Sequence, residues 1–176
     1  VLTLAGSSFA QGDKISPELE KQIKGNNSFA FDLYQELKAE KGNLFFSPYS
    51  ISTAFAMTYG GARGTTAEEM AKVLHFDLES DKFHSAMSKL NQLHNGEKKG
   101  AYHLTVVNAI WGQNDYNFKD EFLKLSSTHY GAGVRRIDFV GNPEKSRAEI
   151  NGWVEKATKE KIKDLLGPDF ITKDTR

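Results

Sequence analysis

The sequence predicts an α+β protein, because helical periodicity covers most of its length and two β-rich segments interrupt it. Apolar residues recur every three or four positions over most of the chain, as on the inner face of a helix. The pattern changes over residues 102–111 and 134–139, which are rich in β-branched and aromatic side chains. The 176 residues suit one ordinary domain. We therefore expect six or seven helices and two substantial strands.

Composition excludes several classes of function. The 23 lysines and arginines balance 23 aspartates and glutamates, which argues against nucleic acid or an anionic membrane as the main partner. No apolar run in the sequence approaches the length of a membrane span. The chain contains no cysteine, which excludes disulfides, thiolate nucleophiles and cysteine metal sites.

The N-terminal residues have two interpretations. Residues 1–11 resemble the later part of a secretory signal, with Ser8 and Ala10 as small residues around a cleavage point. This interpretation predicts an extracellular or secreted protein. An ordinary apolar arm explains the same residues. In either case, residues 1–24 form an N-terminal arm and residues 25–176 form the domain.

The first helix is predicted within residues 13–41. Phe29, Leu33 and Leu37 recur at intervals of four, and residues 26–28 (Asn-Asn-Ser) have the side chains that cap a helix start. Asn26 also begins a glycosylation sequon, but helix capping explains the same residues without secretion.

A short buried strand is predicted at residues 43–46, followed by a helix that begins at Ser47 and Pro48 and ends near Tyr59. The serine hydroxyl can cap free amides, and proline fits the first helical position. Apolar or small residues lie on every side of this helix, which predicts burial all round. Its hydroxyls would then need hydrogen-bond partners, since an unpaired buried hydroxyl costs of order 1–3 kcal/mol. They belong to Ser50, Ser52 and Thr53.

The remaining elements follow from their end signals. A capping box over residues 65–68 begins one helix, and further helices are predicted at 81–94, 118–130 and from residue 142 onward, with 161–166 as its continuation or a following turn. Segment 102–111 has the apolar character of a central strand, which needs neighbours on both edges. One edge has no visible partner in the sequence, so we expect the chain to be part of a larger fold.

Four separated segments of the sequence carry a family resemblance. Residues 43–51 read NLFFSPYSI, residues 60–66 read GGARGTT, residues 107–111 read VNAIW and residues 150–154 read INGWV. In order and spacing they resemble the serpin signature N-x-x-x-S-P-x-S-[IL], the glycine turn after it, the second strand of sheet A and the long helix across that sheet. The resemblance covers residues 25–176.

The resemblance implies the N-terminal portion of a serpin fold: helices A to F with part of sheet A, incomplete without the C-terminal half. It implies an inhibitor of serine (or cysteine) proteases rather than an enzyme. In that mechanism the protease cleaves a reactive-centre loop, which then inserts as a strand into sheet A; this loop would lie outside the present chain. The implied partners are the C-terminal half and the target protease. Two alternatives remain: a non-inhibitory serpin that acts as a carrier or chaperone, and a free-standing interaction fragment.

The resemblance also implies a set of shutter residues, over which sheet A would open. Four lie on the helix from residue 47 and would support the opening strands; two lie on the long helix over the sheet. The candidate shutter residues are Ser47, Pro48, Ser50, Thr53, Asn151 and Trp153. Without the resemblance, Ser47 is an ordinary helix cap and Trp153 an ordinary core residue.

Other sites have little support in the sequence. The hydrolase motifs G-x-S-x-G and S-x-x-K are absent, and the five histidines are scattered without metal-ligand spacing, so no catalytic, metal or cofactor site is predicted. Lys98 and Lys99, with Lys82 and Lys89, could bind a glycosaminoglycan. Acidic neighbours dilute this charge, so we favour a solvated face.

Overall fold

The computed structural model describes residues 15–95, 106–131 and 133–176 and contains six helices and two short strands in these ranges. The helices are α1 (Pro17–Leu37), α2 (Pro48–Tyr59), α3 (Gly64–Leu74), α4 (Ser80–Asn95), α5 (Asp120–Tyr130) and α6 (Pro143–Ala157); the strands are β1 (Trp111–Gln113) and β2 (Arg135–Ile137). This architecture confirms the predicted α+β class. No helix within the described ranges has the length and apolarity to cross a membrane.

The first helix lies within the predicted range 13–41, but it begins at Pro17, before the residues predicted to cap it. Ser16 is its N-cap and accepts a hydrogen bond from the Leu19 amide at 3.2 Å, while Pro17 occupies the first helical position. Residues 26–28 lie inside α1, so the prediction that they cap the helix is wrong. The predicted boundary between an arm and a domain at residues 24 and 25 also falls within this continuous helix.

Helices α1 to α4 surround the larger apolar core. Helix α1 contacts α2, α3 and α4. The buried apolar residues of this core are Leu19, Phe29, Ala56, Leu74, Phe76, Phe83, Met87 and Leu90. At its centre the Phe83 ring lies 4.3 Å from Phe76 and 5.3 Å from Tyr59, centroid to centroid. The same core therefore fixes α2, on which four of the candidate residues lie.

A close approach of α1 to the end of α3 requires glycine at position 25. A Cβ atom on Gly25 would overlap the carbonyl oxygen of His75, which is backbone and cannot rotate away. His75 itself ends α3 with a left-handed φ of 54°, and its Nε2 atom lies 2.7 Å from Asp32 Oδ2 on α1. The junction of α1 and α3 thus depends on the absence of a side chain.

We expect Gly25→Ala to lower the free energy of unfolding by about 1–3 kcal/mol, because the added methyl group must push the two backbones apart. Urea-induced unfolding measures this loss. Gly152→Ala is the matched control: Gly152 lies within α6 with open space at its Cβ position, and alanine there should raise helix stability by about 1 kcal/mol. Equal effects of the two substitutions would contradict the role of the close approach.

The second apolar core lies between the strands and α6. Its buried residues are Ile137, Phe139, Ile150 and Val154, and Trp111, Trp153, Leu166 and Ile171 pack against them. Strands β1 and β2 pair in parallel, with Trp111 opposite Arg135 and Gln113 opposite Ile137. Helix α5 connects them, as a parallel pair requires a crossover.

Both strands are shorter than predicted. Residues 102–105 lie outside the described part of the chain, and residues 106–110 are not a strand. The Ile110 carbonyl accepts from the Arg135 amide at 2.9 Å, whereas the Val106 amide donates to Asn95 Oδ1 at 2.8 Å and not to a strand. Of the strand predicted at residues 134–139, only Arg135–Ile137 forms. The physical reason is that a strand is defined by its hydrogen-bonded ladder: among the described residues, β1 and β2 pair only with each other, in a register of three residue pairs.

Several other local predictions are wrong. Residues 43–46 form no strand, and Phe45 is 98% exposed. The capping box at 65–68 does not form, because α3 already begins at Gly64 with Arg63 as its N-cap and no side-chain cap. Of the two alternatives for residues 161–166, a continued α6 is wrong, since positive φ angles at Lys159 and Glu160 end the helical path; the residues belong to the segment that follows the helix.

Candidate functional site

The start of α2 holds a pair of serine hydroxyls. The Ser50 amide donates to Ser47 Oγ at 3.3 Å, and the Ser47 hydroxyl donates to Ser50 Oγ at 2.9 Å. Pro48 occupies the first helical position between them. The predicted capping by Ser47 is confirmed. In the described part of the chain, the Ser50 hydroxyl proton finds no acceptor, so it remains available to a group beyond these residues.

The hydroxyls further along α2 differ in their partners. Thr53 is 1% exposed, and its Oγ1 donates to the Tyr49 carbonyl at 2.8 Å, one turn earlier. Ser52 is fully buried, and its Oγ has no partner among the described residues. The expectation that every buried hydroxyl is bonded therefore holds for Thr53 and not for Ser52.

Helix α2 has one buried face and one open face. Ser52, Thr53, Ala56 and Met57 are buried, whereas Phe55 is 48% exposed, and Ala54 and Thr58 are exposed beside it. The prediction of burial on all sides is wrong for the described residues, because none of the described elements packs on that face. In the segment before the helix, Phe45 is exposed as well.

Tyr49 attaches the first turn of α2 to the last turn of α4. Its hydroxyl donates to Asn91 Oδ1 at 2.6 Å, and its ring stacks on His94 with centroids 4.2 Å apart and planes 18° apart. Burial raises the pKa of Tyr49 to about 12, and the hydrogen bond with Thr53 opposes this rise. Sequence reasoning missed this residue; its place in the first helical turn is visible, but nothing in the sequence points to α4.

Asn151 fixes the chain that follows α6. Its Nδ2 donates to the Leu166 carbonyl and its Oδ1 accepts from the Leu166 amide, both at 2.9 Å. The Arg147 guanidinium donates to the same carbonyl at 2.9 Å. Asn151 is 7% exposed, so these bonds are shielded from water. The residue holds the segment around Leu166 against α6.

Trp153 contacts the strand pair. Its ring meets Trp111 of β1 edge to face, with centroids 6.0 Å apart and an interplanar angle of 78°. The Arg135 guanidinium of β2 lies 5.2 Å from the Trp153 ring centroid and 5.4 Å from that of Trp111. One aromatic–cation cluster therefore connects α6 with both strands.

The six candidate residues form two separate groups. Tyr49 and Ile51 place the start of α2 beside the larger core, whereas Trp153 belongs to the second core. Among the described elements, α2 and α6 do not make extensive contact with each other. Their common action as one shutter stays a prediction.

A polar corner between β1, β2 and α6 was also missed. Gln113 Oε1 accepts from the Phe139 amide at 2.8 Å and from the Val140 amide at 3.2 Å. The amides of Gly141 and the Asn142 side chain donate to Asp138 at 2.8 Å, which lowers the pKa of the Asp138 carboxyl. These bonds orient α6, but a glutamine and an aspartate in these positions give no distinct sequence signal.

His84 is a buried base between α4 and α5. It is 1% exposed, its Nδ1 lies 2.7 Å from the Tyr130 hydroxyl, and its Nε2 has no partner among the described residues. Burial lowers the pKa of His84 to about 4; His129 adds to this and Asp81 opposes it. Within the described ranges, no group of three or more His, Asp or Glu side chains could hold a metal ion.

The two described lysines that were considered for glycosaminoglycan binding have neighbours of both charges. Lys98 and Lys99 are outside the described residues. Lys82 and Lys89 line a cleft of about 360 Å³ between α1 and α4, and the carboxylates of Glu18 and Asp81 line it as well. A polyanion would meet both signs of charge there, which favours the interpretation as a solvated face.

Comparison with known proteins defines the class. The family model described as "Serpin (serine protease inhibitor)" matches residues 24–176, so this scaffold is that of a protease-inhibitor family rather than an enzyme family. Serpin48 from the insect Tenebrio molitor has the same fold, with a TM-score of 0.76 and 34% identity over 92% of this chain. The chain belongs to the serpin family and has the fold of its N-terminal portion.

Two curated relatives agree with this assignment. A serpin-like protein from Thermococcus kodakarensis is 43% identical over 82% of this chain, and a leukocyte elastase inhibitor from Xenopus laevis is 39% identical over 84%. The chain spans 34% and 40% of the lengths of these relatives, and 43% of serpin48. The activity, substrates and partners that these relatives suggest are therefore proposals for this chain.

Proposed function

We propose that this chain supplies the N-terminal part of a serine protease inhibitor that acts by cleavage of a reactive-centre loop and its insertion into sheet A. The observation that carries the proposal is a support helix with an open face. Helix α2 is packed on one side by this chain and exposes Phe55 on the other. Family membership supports the inhibitory class, as does the name of the Xenopus laevis relative.

The C-terminal half of the same protein is the partner proposed for the open surface. Large apolar side chains are exposed along it and elsewhere: Phe31 is 69%, Phe45 98%, Phe55 48% and Phe170 71% exposed. Exposed aromatic side chains mark an interface where they form one contiguous patch, and the proposal assigns Phe55 of α2 to such a patch. The strand pair β1–β2 also has free edges in the described part of the chain, to which further strands of sheet A would add.

Ser47 and Ser50 would then lie under the strands that part during insertion. The Ser47 hydroxyl already bonds Ser50, and Ser50 retains a proton to donate. A donor at this place can bond a strand in one arrangement and release it in another. Small side chains also leave room for the strand to move.

We expect Ser50→Phe in the complete protein to cause premature loop insertion or polymerisation, with at least a several-fold rise in the stoichiometry of inhibition. The ring would occupy the space under the strands and remove the free donor. Protease titration and native gels after warming measure both effects. Ser127→Phe on the exposed side of α5 is the control. Normal inhibition by a Ser50→Phe protein that stays monomeric would contradict the shutter assignment.

The inhibitory function itself is tested by incubating the complete protein with elastase-, trypsin- and chymotrypsin-like proteases. A covalent complex that survives SDS, together with loss of protease activity, supports the proposal. Cleavage of the protein as a plain substrate of every protease favours a carrier or chaperone. A stable, monomeric 176-residue chain that binds other proteins through its strand edge favours the interaction fragment.

Secretion stays a proposal that rests on residues 1–11, which lie outside the described part of the chain. The sequon at Asn26 adds nothing to it, since Asn26 lies within α1 and its Oδ1 is buried. The direct test is to express the gene in its own cells and assay the culture medium for the protein.

A further inference from the structure

The geometry points to Tyr49 as a positioning residue that fixes the first turn of α2 by docking it on the last turn of α4. Its consequence for inhibition rests on the proposed function, whereas the docking itself does not. Tyr49 lies between Ser47 and Ser50, so whatever fixes its side chain also fixes the hydroxyl pair.

Two different contacts hold the Tyr49 side chain. The hydroxyl donates to Asn91 Oδ1 at 2.6 Å, which is directional, and the ring lies flat on His94 at 4.2 Å. The His94 ring is itself fixed, because its Nδ1 lies 2.8 Å from the Leu90 carbonyl. A carbonyl only accepts, so Nδ1 carries a proton and donates. Tyr49 therefore meets a partner surface that is already ordered.

The contact also reaches further into α2. The Tyr49 carbonyl accepts the Thr53 hydroxyl at 2.8 Å, and Thr53 is buried. The first turn is thus held by its own hydroxyls, by the contact of Tyr49 with α4 and by the packing of Ile51 on the larger core. The opposite side of α2 has no packing from the described residues. A turn held from one side alone should loosen when that side is weakened.

This arrangement gives Tyr49 a role that a general core residue would not have. Loosening the turn lets Ser47 and Ser50 shift while the rest of α2 stays packed through Ala56 and Met57. In the proposed mechanism, such a shift changes how readily the strands above part. The expected effect is on the rate of loop insertion, with little change in overall stability.

Hydrogen exchange measures the docking directly. In the complete protein, Tyr49→Phe removes the hydroxyl and keeps the ring, and should raise exchange of the α2 first-turn amides about tenfold, the value of one hydrogen bond. Asn91→Ala should do the same, and the double variant should add little, since both remove one bond. Tyr34→Phe on the exposed side of α1 should change nothing. Unchanged exchange in Tyr49→Phe, or fully additive effects, would overturn the docking.

The rate of conversion to the loop-inserted form tests the consequence. Tyr49→Phe should raise this rate several-fold. The free energy of unfolding in urea should fall by less than the free energy that corresponds to the rise in amide exchange. If exchange rises and the protein still forms protease complexes, but conversion is unchanged, the positioning role is overturned. If wild-type protein forms no protease complex at all, the proposed function fails, and the exchange result alone decides the docking.

Discussion

Phe83→Ala should lower the free energy of unfolding by about 3–5 kcal/mol, a large part of the stability of an ordinary domain. Phe83 is fully buried at the centre of the larger core, and its ring contacts Phe76, Tyr59 and His84. Because these neighbours belong to α2, to α4 and to the segment that follows α3, they cannot collapse together into the space that the ring leaves. Urea-induced unfolding followed by circular dichroism measures the loss.

Two control variants test whether the loss of stability is specific to the buried ring of Phe83. Phe83→Leu keeps most of the volume and should cost far less, about 1–2 kcal/mol. Phe31→Ala removes the same ring from a side chain that is 69% exposed and should change stability by less than about 1 kcal/mol. Similar losses in Phe83→Ala and Phe31→Ala would show that the core is not organised around Phe83.

Acidification should remove up to about 3 kcal/mol of stability through His84. Burial lowers the pKa of His84 from its ordinary 6.5 to about 4, so the native protein holds this ring neutral. Between these pH values the unfolded chain binds a proton that the native protein does not. The stability that the protein gains by holding His84 neutral is therefore fully present above pH 6.5 and is lost as the pH falls towards 4.

The free energy of unfolding measured from pH 7.5 to 4 tests this prediction, with a positive slope against pH expected below 6.5. His84→Asn keeps a polar group near the Tyr130 hydroxyl and removes the titration, so the slope should become smaller. His75→Asn is the control, because His75 is partly exposed beside Asp32. The same slope in His84→Asn as in wild type would contradict the assignment to His84.

The helix starts show how far sequence reasoning reaches. Ser47 and Pro48 predict a helix start, and the structure confirms the cap. Ser16 and Pro17 are the same pair and also begin a helix, although the capping side chains of residues 26–28 favour a later start. Capping side chains are common in sequences, and only the packing of Leu19 and Gln22 into the core decides which of them begin a helix.

The strands and the candidate site show where sequence reasoning no longer predicts the structure. The β-rich character of 102–111 gives no register, and the paired residues begin only at Trp111 because β2 is as short as β1. At the candidate site, Ser47 and Ser50 were found from a local motif. Tyr49 gains its role from Asn91 and His94, more than forty positions away, and a single sequence does not pair such residues.

The contacts of α1 have a consequence for biosynthesis. This helix touches α2, α3 and α4, all of which are complete by Asn95, and their shared core needs nothing from β2 or α6. A ribosome adds about 5–20 residues per second, so these four helices can assemble for seconds before the last helix emerges. We expect this early bundle to protect the nascent chain from aggregation until its exposed aromatic side chains are covered by the rest of the fold.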